Sequence, residues 1–203
     1  MTPNSNVERH ERSPMSNPST SSRTFFWQRL YAPGHDVCRL LRIAEGWSLS
    51  GTAVFRDGKR IYDLSYQVVV DEQWRTTRAT VSGHRDAHEI DLHIRPAGKK
   101  TGRLGEESIQ LPTECTDLDL GFTPATNLIA IRRLRLKVGE AAEAPAAWLS
   151  LPSMRLKILP QTYRRIGARI YAYEAPTVGY RGRLEVSSVG AVVSYPRLFK
   201  AVD

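Results

Sequence analysis

Two aspartates in the second half of the chain, Asp117 and Asp119, are the residues whose types and spacing best suit chemistry. Residues two apart in a strand share one face, so their carboxyl groups would lie side by side. Paired carboxylates can divide acid and base roles, and they can equally neutralise arginine. Arg132 and Arg133 follow a short predicted helix, where a chain reversal would return them to this strand. We therefore expect ion pairing here and keep catalysis as the alternative.

The other groups that could catalyse a reaction or hold a metal lack the necessary spacing. His84 and His88 would share one strand face and His93 would lie on the opposite face, so one strand cannot bring all three together. The chain has no G-x-S-x-G elbow and no glycine-rich phosphate loop. We therefore predict no catalytic residue, no metal site and no cofactor.

An excess of 29 lysines and arginines over 21 acidic residues allows an anionic partner. Two basic stripes are predicted on strand faces, namely Arg133, Arg135 and Lys137, and then Arg155 and Lys157. These stripes could bind phosphate or lipid head groups, or they could simply solvate the surface. Nucleic acid is not expected as a partner, because aromatic residues such as Tyr62 and Tyr66 fall on apolar strand faces instead of between the basic residues.

The elements that must position these side chains are predominantly strands. Apolar residues recur at every second position in the stretch from 62 to 70, and the same alternation predicts strands at 47–55, 74–82 and 88–95. Turns are predicted at Asp57-Gly58, 71–73 and 83–87. This pattern is typical of an antiparallel meander with one solvated face and one apolar face.

Further along the chain, residues 96–105 are predicted to form a turn-rich excursion, and Thr116 to Leu120 a short strand. Thr123 followed by Pro124 predicts a helix start, with a hydroxyl cap and proline at the first helical position. The helix is expected to last only a turn or two, because residues 131–138 return to alternation. The remaining strand candidates are 146–158, 168–174, 183–187 and 191–195.

About ten strands rarely form a flat open sheet, so this sheet is expected to curl. We predict a mainly β protein: a single curved antiparallel sheet with one or two short helices. If the concave face is not filled by the protein's own side chains, it would form a ligand site, apolar in the middle and basic at the lip.

One domain is predicted over residues 25–203, preceded by a disordered tail over residues 1–24. The tail is rich in serine, threonine, asparagine and proline, and it contains no aromatic residue. The sequence shows no apolar run of about 20 residues that would span a membrane, and no secretory signal. The two cysteines, Cys38 and Cys115, are too few for a disulfide scaffold, so we expect a cytoplasmic protein.

Three blocks of the chain resemble the bacterial putative glycolipid-binding family, a domain of otherwise unknown function. They read DEQWRTTRATV from Asp71, CTDLDLGFTPATNLIAIRRL from Cys115 and GAVVSYPRLF from Gly190. The D-x-D-x-x-x-T-P-x-T-N segment is the most specific of these, and the similarity spans about residues 36–200. The resemblance implies a spiral β-roll, cytoplasmic placement, and binding of a glycolipid or related lipid. Two departures are Ser187, where the family tends to have an acid, and Ala130, where it has proline.

The resemblance transfers no catalytic residues, but its motif positions imply ligand-binding candidates. These are Trp74, Arg78, Asp117, Asp119, Thr123, Thr126, Asn127, Arg132, Arg133 and Tyr195. On the predicted strands Arg78 shares a face with Trp74, and we expect it to pair with Asp117 or Asp119, because an unpaired buried charge is costly. Asn127 is expected to satisfy backbone groups near the end of the helix.

Three functional hypotheses follow. The leading one is a non-enzymatic module whose concave face is partly hollow and binds a glycolipid or other amphipathic small molecule. Apolar strand positions would hold the acyl part, and Arg78, Arg132 and Arg133 would meet the polar or anionic head. The second is a hydrolase-type enzyme that acts on a sugar or lipid conjugate through Asp117 and Asp119. The third is an interaction protein that uses a basic surface or a sheet edge, for example to form a homodimer.

Overall fold

Strands account for most of the chain in the computed structural model, which describes residues 22–95, 101–104, 107–110 and 115–202. The strands of the first half are β1 Ser22–Arg29, β2 Gly34–Ile43, β3 Gly46–Asp57, β4 Arg60–Val70, β5 Thr76–Arg85, β6 His88–Arg95, β7 Thr101–Leu104 and β8 Glu107–Gln110. Those of the second half are β9 Asp117–Asp119, β10 Ala141–Glu143, β11 Ala146–Ser150, β12 Arg155–Leu159, β13 Thr162–Gly167, β14 Ile170–Ala175, β15 Tyr180–Val186, β16 Val192–Tyr195 and β17 Phe199–Ala201. Helical structure comprises 3₁₀ turns at Pro124–Thr126 and Pro176–Val178 and the helix α1 at Asn127–Leu134.

Strands β3 to β6 form the predicted antiparallel meander. Strands β1, β2, β7 and β8, which were not predicted, extend it on both sides, so that each of the first eight strands pairs with the next one along the chain. In β4 the side chains of Tyr62, Leu64 and Val68 are completely buried, while Asp63 and Ser65 are exposed. This alternation gives the sheet one apolar face and one solvated face.

The second half of the chain extends the same sheet from its other side. Strand β17 pairs with β1, so that Trp27 lies opposite Ala201. Over the described residues the order of the 14-stranded sheet is β10-β13-β14-β15-β16-β17-β1-β2-β3-β4-β5-β6-β7-β8. The sheet is curved and does not close, which confirms the predicted fold class and leaves β10 and β8 as its edges. Self-association through such an edge stays a prediction.

A small second sheet of three strands, in the order β12-β11-β9, accompanies the large one. Its β9 pairs in parallel with β11, so Asp117 lies opposite Ala146 and Asp119 opposite Trp148. The predicted strand at 146–158 is therefore two strands, β11 and β12, which form an antiparallel hairpin.

The concave face of the large sheet is filled by the segment that runs from β9 through α1. Phe122 lies with its ring centroid 6.0 Å from that of Phe55 and 5.8 Å from that of Tyr66. Leu128 and Ile129 of α1 are at most 1% exposed. The expectation of a hollow middle is therefore wrong, because the chain supplies its own apolar filling.

The helix is longer than predicted. Of the two basic stripes expected on strand faces, the one at Arg133, Arg135 and Lys137 is not formed, because the helix extends into these residues. Thr123 accepts a hydrogen bond from the Ala125 amide, which confirms the predicted cap. Helix α1 then continues to Leu134 and ends at Arg135, whose backbone is left-handed with φ of 48°. Residues 131–138 are therefore not a strand. The short apolar run of residues 131–138 fits the helical period and the strand period equally well. The first five residues of α1, from Asn127 to Ile131, are buried against the sheet, and this packing favours the helix.

Some predictions fall outside the described residues. Most of the predicted tail over residues 1–24 is among them. So are residues 96–100 and 105 of the predicted turn-rich excursion, whereas Thr101–Leu104 of the same segment form β7. Strand β1 begins at Ser22, inside the segment predicted to be a tail. Over the described part of the chain, no helix has the length and apolar character needed to cross a membrane.

Candidate ligand-binding cleft

An open cleft of about 580 Å³ lies at the rim of the sheet, where the end of α1 meets the β13–β14 hairpin and the loop between β15 and β16. We call it the arginine cleft. Its lining residues are Trp74, Ile131, Arg132, Arg135, Leu136, Arg165, Ala168, Arg169, Tyr171, Val186, Ser187, Ser188 and Gly190. Over the described part of the chain, four of the lining residues are arginines and none is acidic, so the cleft attracts anions.

One of the four arginines is committed to the protein itself. The Arg165 guanidinium donates to the carbonyl oxygens of Leu136 at 2.9 Å, Ala168 at 2.6 Å and Gly167 at 3.3 Å. These bonds tie the β13–β14 hairpin to the segment that follows α1. Arg165 therefore shapes one wall of the cleft, and its charge adds to the local positive potential.

The other three arginines, Arg132, Arg135 and Arg169, are exposed. Within the described ranges, no carboxylate forms an ion pair with any of them. The Arg132 guanidinium lies over the ring of Trp74, 5.2 Å from its centroid, which favours a fixed position for this charge.

The floor of the cleft is apolar. Trp74 and Tyr171 are 4% and 5% exposed, and Ile131, Leu136 and Val186 are also buried. Trp74 reaches this place because its backbone is left-handed, with φ of 64°, in the loop between β4 and β5. Its ring stacks on Trp47 at a centroid distance of 5.4 Å. The cleft therefore combines an apolar base with a cationic rim.

Gly190 allows the β15–β16 loop to approach α1 closely. Its φ is 93°, and a Cβ atom there would lie 3.1 Å from Leu128, 3.3 Å from Ile131 and 3.4 Å from the Arg132 side chain. A larger residue would strain the backbone and press on the helix. The glycine thus positions the loop that carries Ser187 and Ser188 against Arg132.

A second depression of about 460 Å³ adjoins the arginine cleft and shares Arg135 with it. Its other lining residues are Gln73, Arg75, Thr116 and Arg133. Since these side chains are polar, this depression suits hydroxyl-bearing or charged groups more than hydrocarbon.

The predicted pairing of the aspartates with the arginines is confirmed for one pair. Arg133 donates to both carboxyl oxygens of Asp117, each at 2.7 Å. Asp119 instead accepts from the Gly121 amide and the Gln161 side chain, both at 2.7 Å. Burial raises the pKa of Asp119, but its oxygens are occupied by these structural bonds. Arg132 faces the cleft and Trp74, so it pairs with neither aspartate.

Asp117→Asn is expected to lower the free energy of unfolding by about 2 kcal/mol, because the half-buried Arg133 loses a charge-assisted bidentate partner. The Asp117 and Arg133 side chains are 3% and 21% exposed. Urea denaturation measures the change. The matched control is Glu45→Gln, since Glu45 pairs with Arg78 at the surface, with side chains 55% and 42% exposed, and we expect no measurable change there. Equal losses in the two variants would contradict this prediction.

Arg78 does not share a face with Trp74, and it pairs with neither aspartate; both expectations are wrong. It donates to the two carboxyl oxygens of Glu45, at 3.0 and 2.6 Å, away from the arginine cleft. The reason is local: Trp74 precedes β5, and the register between β4 and β5 shifts at Val69 and Val70. Trp74 thus turns inward, while Arg78 lies on the solvated side.

Four more predicted site residues lie in the core and bond to other parts of the protein. Thr126 accepts from the Leu120 amide at 3.5 Å, and Thr123 donates to Asp36. The Asn127 amide donates to the Tyr163 hydroxyl at 2.8 Å, so it satisfies a side chain and not the backbone groups predicted. Tyr195 is 8% exposed and belongs to an aromatic cluster with Tyr173, Tyr180 and Phe199.

Of the ten predicted site residues, the structure places Trp74 and Arg132 in the arginine cleft and Arg133 in the adjoining depression. Sequence reasoning missed Arg165 and Arg169, although both flank Gly167 in a hairpin rich in basic residues. Asp36 was missed as well. It alternates with Cys38 and Leu40, and this apolar period already indicated that its carboxyl group faces the core.

The three histidines considered as metal ligands lie at the surface. His84 is 3.2 Å from Asp63, and His93 is 3.0 Å from Asp91. Within the part of the chain that the structure describes, no group of three potential ligands could hold a metal ion.

Comparison with known proteins agrees with this architecture. A solved structure with a similar fold is the crystal structure of a DUF1089 family protein from Pseudomonas aeruginosa, with 23% sequence identity and a TM-score of 0.69, covering 96% of this chain and 99% of that one. At this identity the likeness shows the fold alone. No curated protein matches the chain. The family model described as "Putative glycolipid-binding" matches residues 24–201. The match spans most of the chain and confirms the resemblance seen in the sequence: the protein belongs to the putative glycolipid-binding family.

Proposed function

We propose that this protein binds an amphipathic, lipid-like molecule of the glycolipid class in the arginine cleft. The observation that carries the proposal is an open cleft with an apolar floor and a rim of four arginines, whose lining contains no acidic residue among those that the structure describes. A ligand with one apolar part and one polar part matches this arrangement. The description of the family supports a binding role of this kind.

The dimensions of the cleft agree with a small ligand. A volume of about 580 Å³ lies within the range of about 300–1,000 Å³ that is usual for small-molecule sites. The floor offers the rings of Trp74 and Tyr171 together with the aliphatic side chains of Ile131, Leu136 and Val186. These groups would lie against hydrocarbon, and the arginines would meet the head group.

The filled concave face restricts how such a ligand could lie. Phe122 and α1 occupy the middle of the trough, so an acyl chain cannot run through the interior of the roll. The ligand would instead lie along the rim, with its head group reaching toward Arg135 and the adjoining polar depression. We propose the cytoplasm of a bacterium as the location, on the basis of the sequence and the family resemblance.

Thermal-shift and native mass-spectrometry measurements on the full chain test this proposal. The probes are dodecyl maltoside, which has a sugar head, and oleic acid, which has a carboxylate head, both below their micelle concentrations. At about 100 times its Kd, a bound ligand stabilises the folded state by about 2.7 kcal/mol, which is readily seen in Tm. Failure of both amphiphiles to bind or to raise Tm would contradict the proposal.

A variant that fills the cleft shows whether binding occurs there. Ser188→Trp places a large ring at the mouth of the arginine cleft, and we expect it to weaken binding of the same probes at least about tenfold. Ser82→Trp is the matched control, because Ser82 is exposed on β5 and does not line the cleft. Equal affinity in the two variants would place the binding site elsewhere.

A further inference from the structure

The structure assigns a chemical class to the head group: we infer that the arginine cleft recognises a phosphate monoester carried by the amphiphile. This inference rests on the proposed function and goes beyond it, since a neutral glycolipid would satisfy the proposed function equally well. The arginines near the cleft divide into those that already have partners in the protein and those whose donors remain for a ligand.

Two basic side chains near the site are already engaged by the protein. Arg165 donates to three backbone carbonyls, and Arg133 is bonded to both oxygens of Asp117. Their positions are thus set without any ligand. Neither needs an external anion to satisfy its guanidinium group.

Arg132, Arg135 and Arg169 are different, because among the described residues they have no carboxylate partner and yet line the same cleft. Three like charges around one small volume repel each other, and each guanidinium carries up to five donors. An oxyanion placed between them removes the repulsion and accepts these donors. Ser187 and Ser188 add two hydroxyl groups to the same lining.

The number of arginines favours phosphate over carboxylate. A carboxylate has two oxygens and one charge, and one arginine in a bidentate pair satisfies it. A phosphate monoester carries a charge of about −1.5 to −2 near neutral pH and three terminal oxygens, so several arginines can bind it together. The Arg132 guanidinium is held over Trp74 and therefore has less freedom to lose on binding.

The test compares two lipids that differ only in the phosphate. Oleoyl lysophosphatidic acid and oleoylglycerol are titrated into the full chain by calorimetry, below their micelle concentrations, with inorganic phosphate as the third probe. We expect the phosphorylated lipid to bind at least about tenfold more tightly than oleoylglycerol, and inorganic phosphate to bind more weakly than the phosphorylated lipid. The difference between the two lipids should shrink as ionic strength rises.

Variants assign the effect to the arginines. Arg169→Gln and Arg132→Gln should each reduce the affinity for lysophosphatidic acid about tenfold and that for oleoylglycerol much less, because oleoylglycerol has no phosphate for the arginines to bind. Arg164→Gln is the matched control, because Arg164 is exposed on the same hairpin but does not line the cleft. All three positions are at the surface, and equal Tm values without ligand would show that the variants fold.

The outcomes separate the two proposals. Equal affinities for the two lipids would overturn the phosphate assignment and leave the proposed function standing. Inorganic phosphate that binds as tightly as the phosphorylated lipid would contradict a role for the apolar floor, and with it both the proposed function and the recognition of a phosphorylated amphiphile. Absence of binding by all three probes would overturn both.

Discussion

Phe122→Ala is expected to lower the free energy of unfolding by about 3–5 kcal/mol, measured by urea denaturation. The Phe122 side chain is 1% exposed and lies between Phe55 of β3 and Tyr66 of β4. Its carbonyl also accepts a hydrogen bond at 2.8 Å from Arg29 of β1, a buried arginine whose guanidinium lies 3.9 Å from the Phe55 ring centroid. Removing the ring would leave a cavity at the point where the filling segment meets three strands.

Phe26→Ala provides the matched control, because it is the same substitution on the solvated face of β1. Phe26 is 42% exposed and stacks on His35. We expect a loss of less than about 1 kcal/mol. If the two variants lost similar stability, Phe122 would not fill the concave face, and a ligand would not be confined to the rim.

Asp36→Asn is expected to remove a pH dependence of stability worth about 3 kcal/mol between about pH 4 and pH 8. Asp36 is 2% exposed on β2. Its carboxyl group accepts hydrogen bonds from the hydroxyls of Thr123 and Tyr66, the latter at 3.0 Å. Burial raises the pKa of Asp36 from 3.8 to about 6, although these two hydrogen bonds and the charge of Arg29 act in the opposite direction.

The sign of this pH dependence follows from whether the folded or the unfolded state binds the Asp36 proton more tightly. Because the folded state holds the Asp36 proton more tightly than the unfolded state, protonation favours folding. The stability contributed in this way is fully present below about pH 3.8 and is lost as the pH rises through about 6. Asparagine keeps the polar contacts but has no proton to lose, so the variant gains stability relative to the wild type as the pH increases.

Chemical denaturation at several pH values measures this difference. Thr123→Ser is the control, because it keeps the hydroxyl that donates to Asp36, and it should retain the pH slope of the wild type. A constant difference between Asp36→Asn and the wild type across the range would show that Asp36 is ionised in the folded state with an ordinary pKa. In that case the hydrogen bond from Thr123 to Asp36 would not make the stability of the protein depend on pH.

Both experiments address the same structural arrangement. The concave face of the sheet is covered by side chains of the protein itself. Phe122 packs against it, and Asp36 of β2 accepts a hydrogen bond from the cap residue Thr123. The arginine cleft, with its positively charged lining, lies instead at the rim of the sheet. This division explains why core residues of the family motif, such as Thr126 and Asn127, have partners within the protein.

Several features could be predicted from neighbouring residues alone. The alternation in β4 indicated its pairing and its buried face, and Thr123-Pro124 indicated where the helical segment begins. The bond between Asp117 and Arg133 also followed from a short chain reversal. In each case the determining contacts are local, so strand period, capping chemistry and charge order suffice.

The arginine cleft could not be predicted in the same way, and only the tertiary structure assembled it. Trp74 lies in the cleft because its backbone is left-handed and the register between β4 and β5 shifts beside it. Arg165 and Arg169 belong to the β13–β14 hairpin, which is distant from Trp74 in the sequence. Which residues meet at the rim depends on the order and curvature of the whole sheet, and local periodicity carries no information on either. The sequence by itself thus determined a basic, curved antiparallel sheet with a capped helix. Only the tertiary structure placed this helix in the trough and gathered the arginines without carboxylate partners at its rim, because long-range packing decides which elements cover one another.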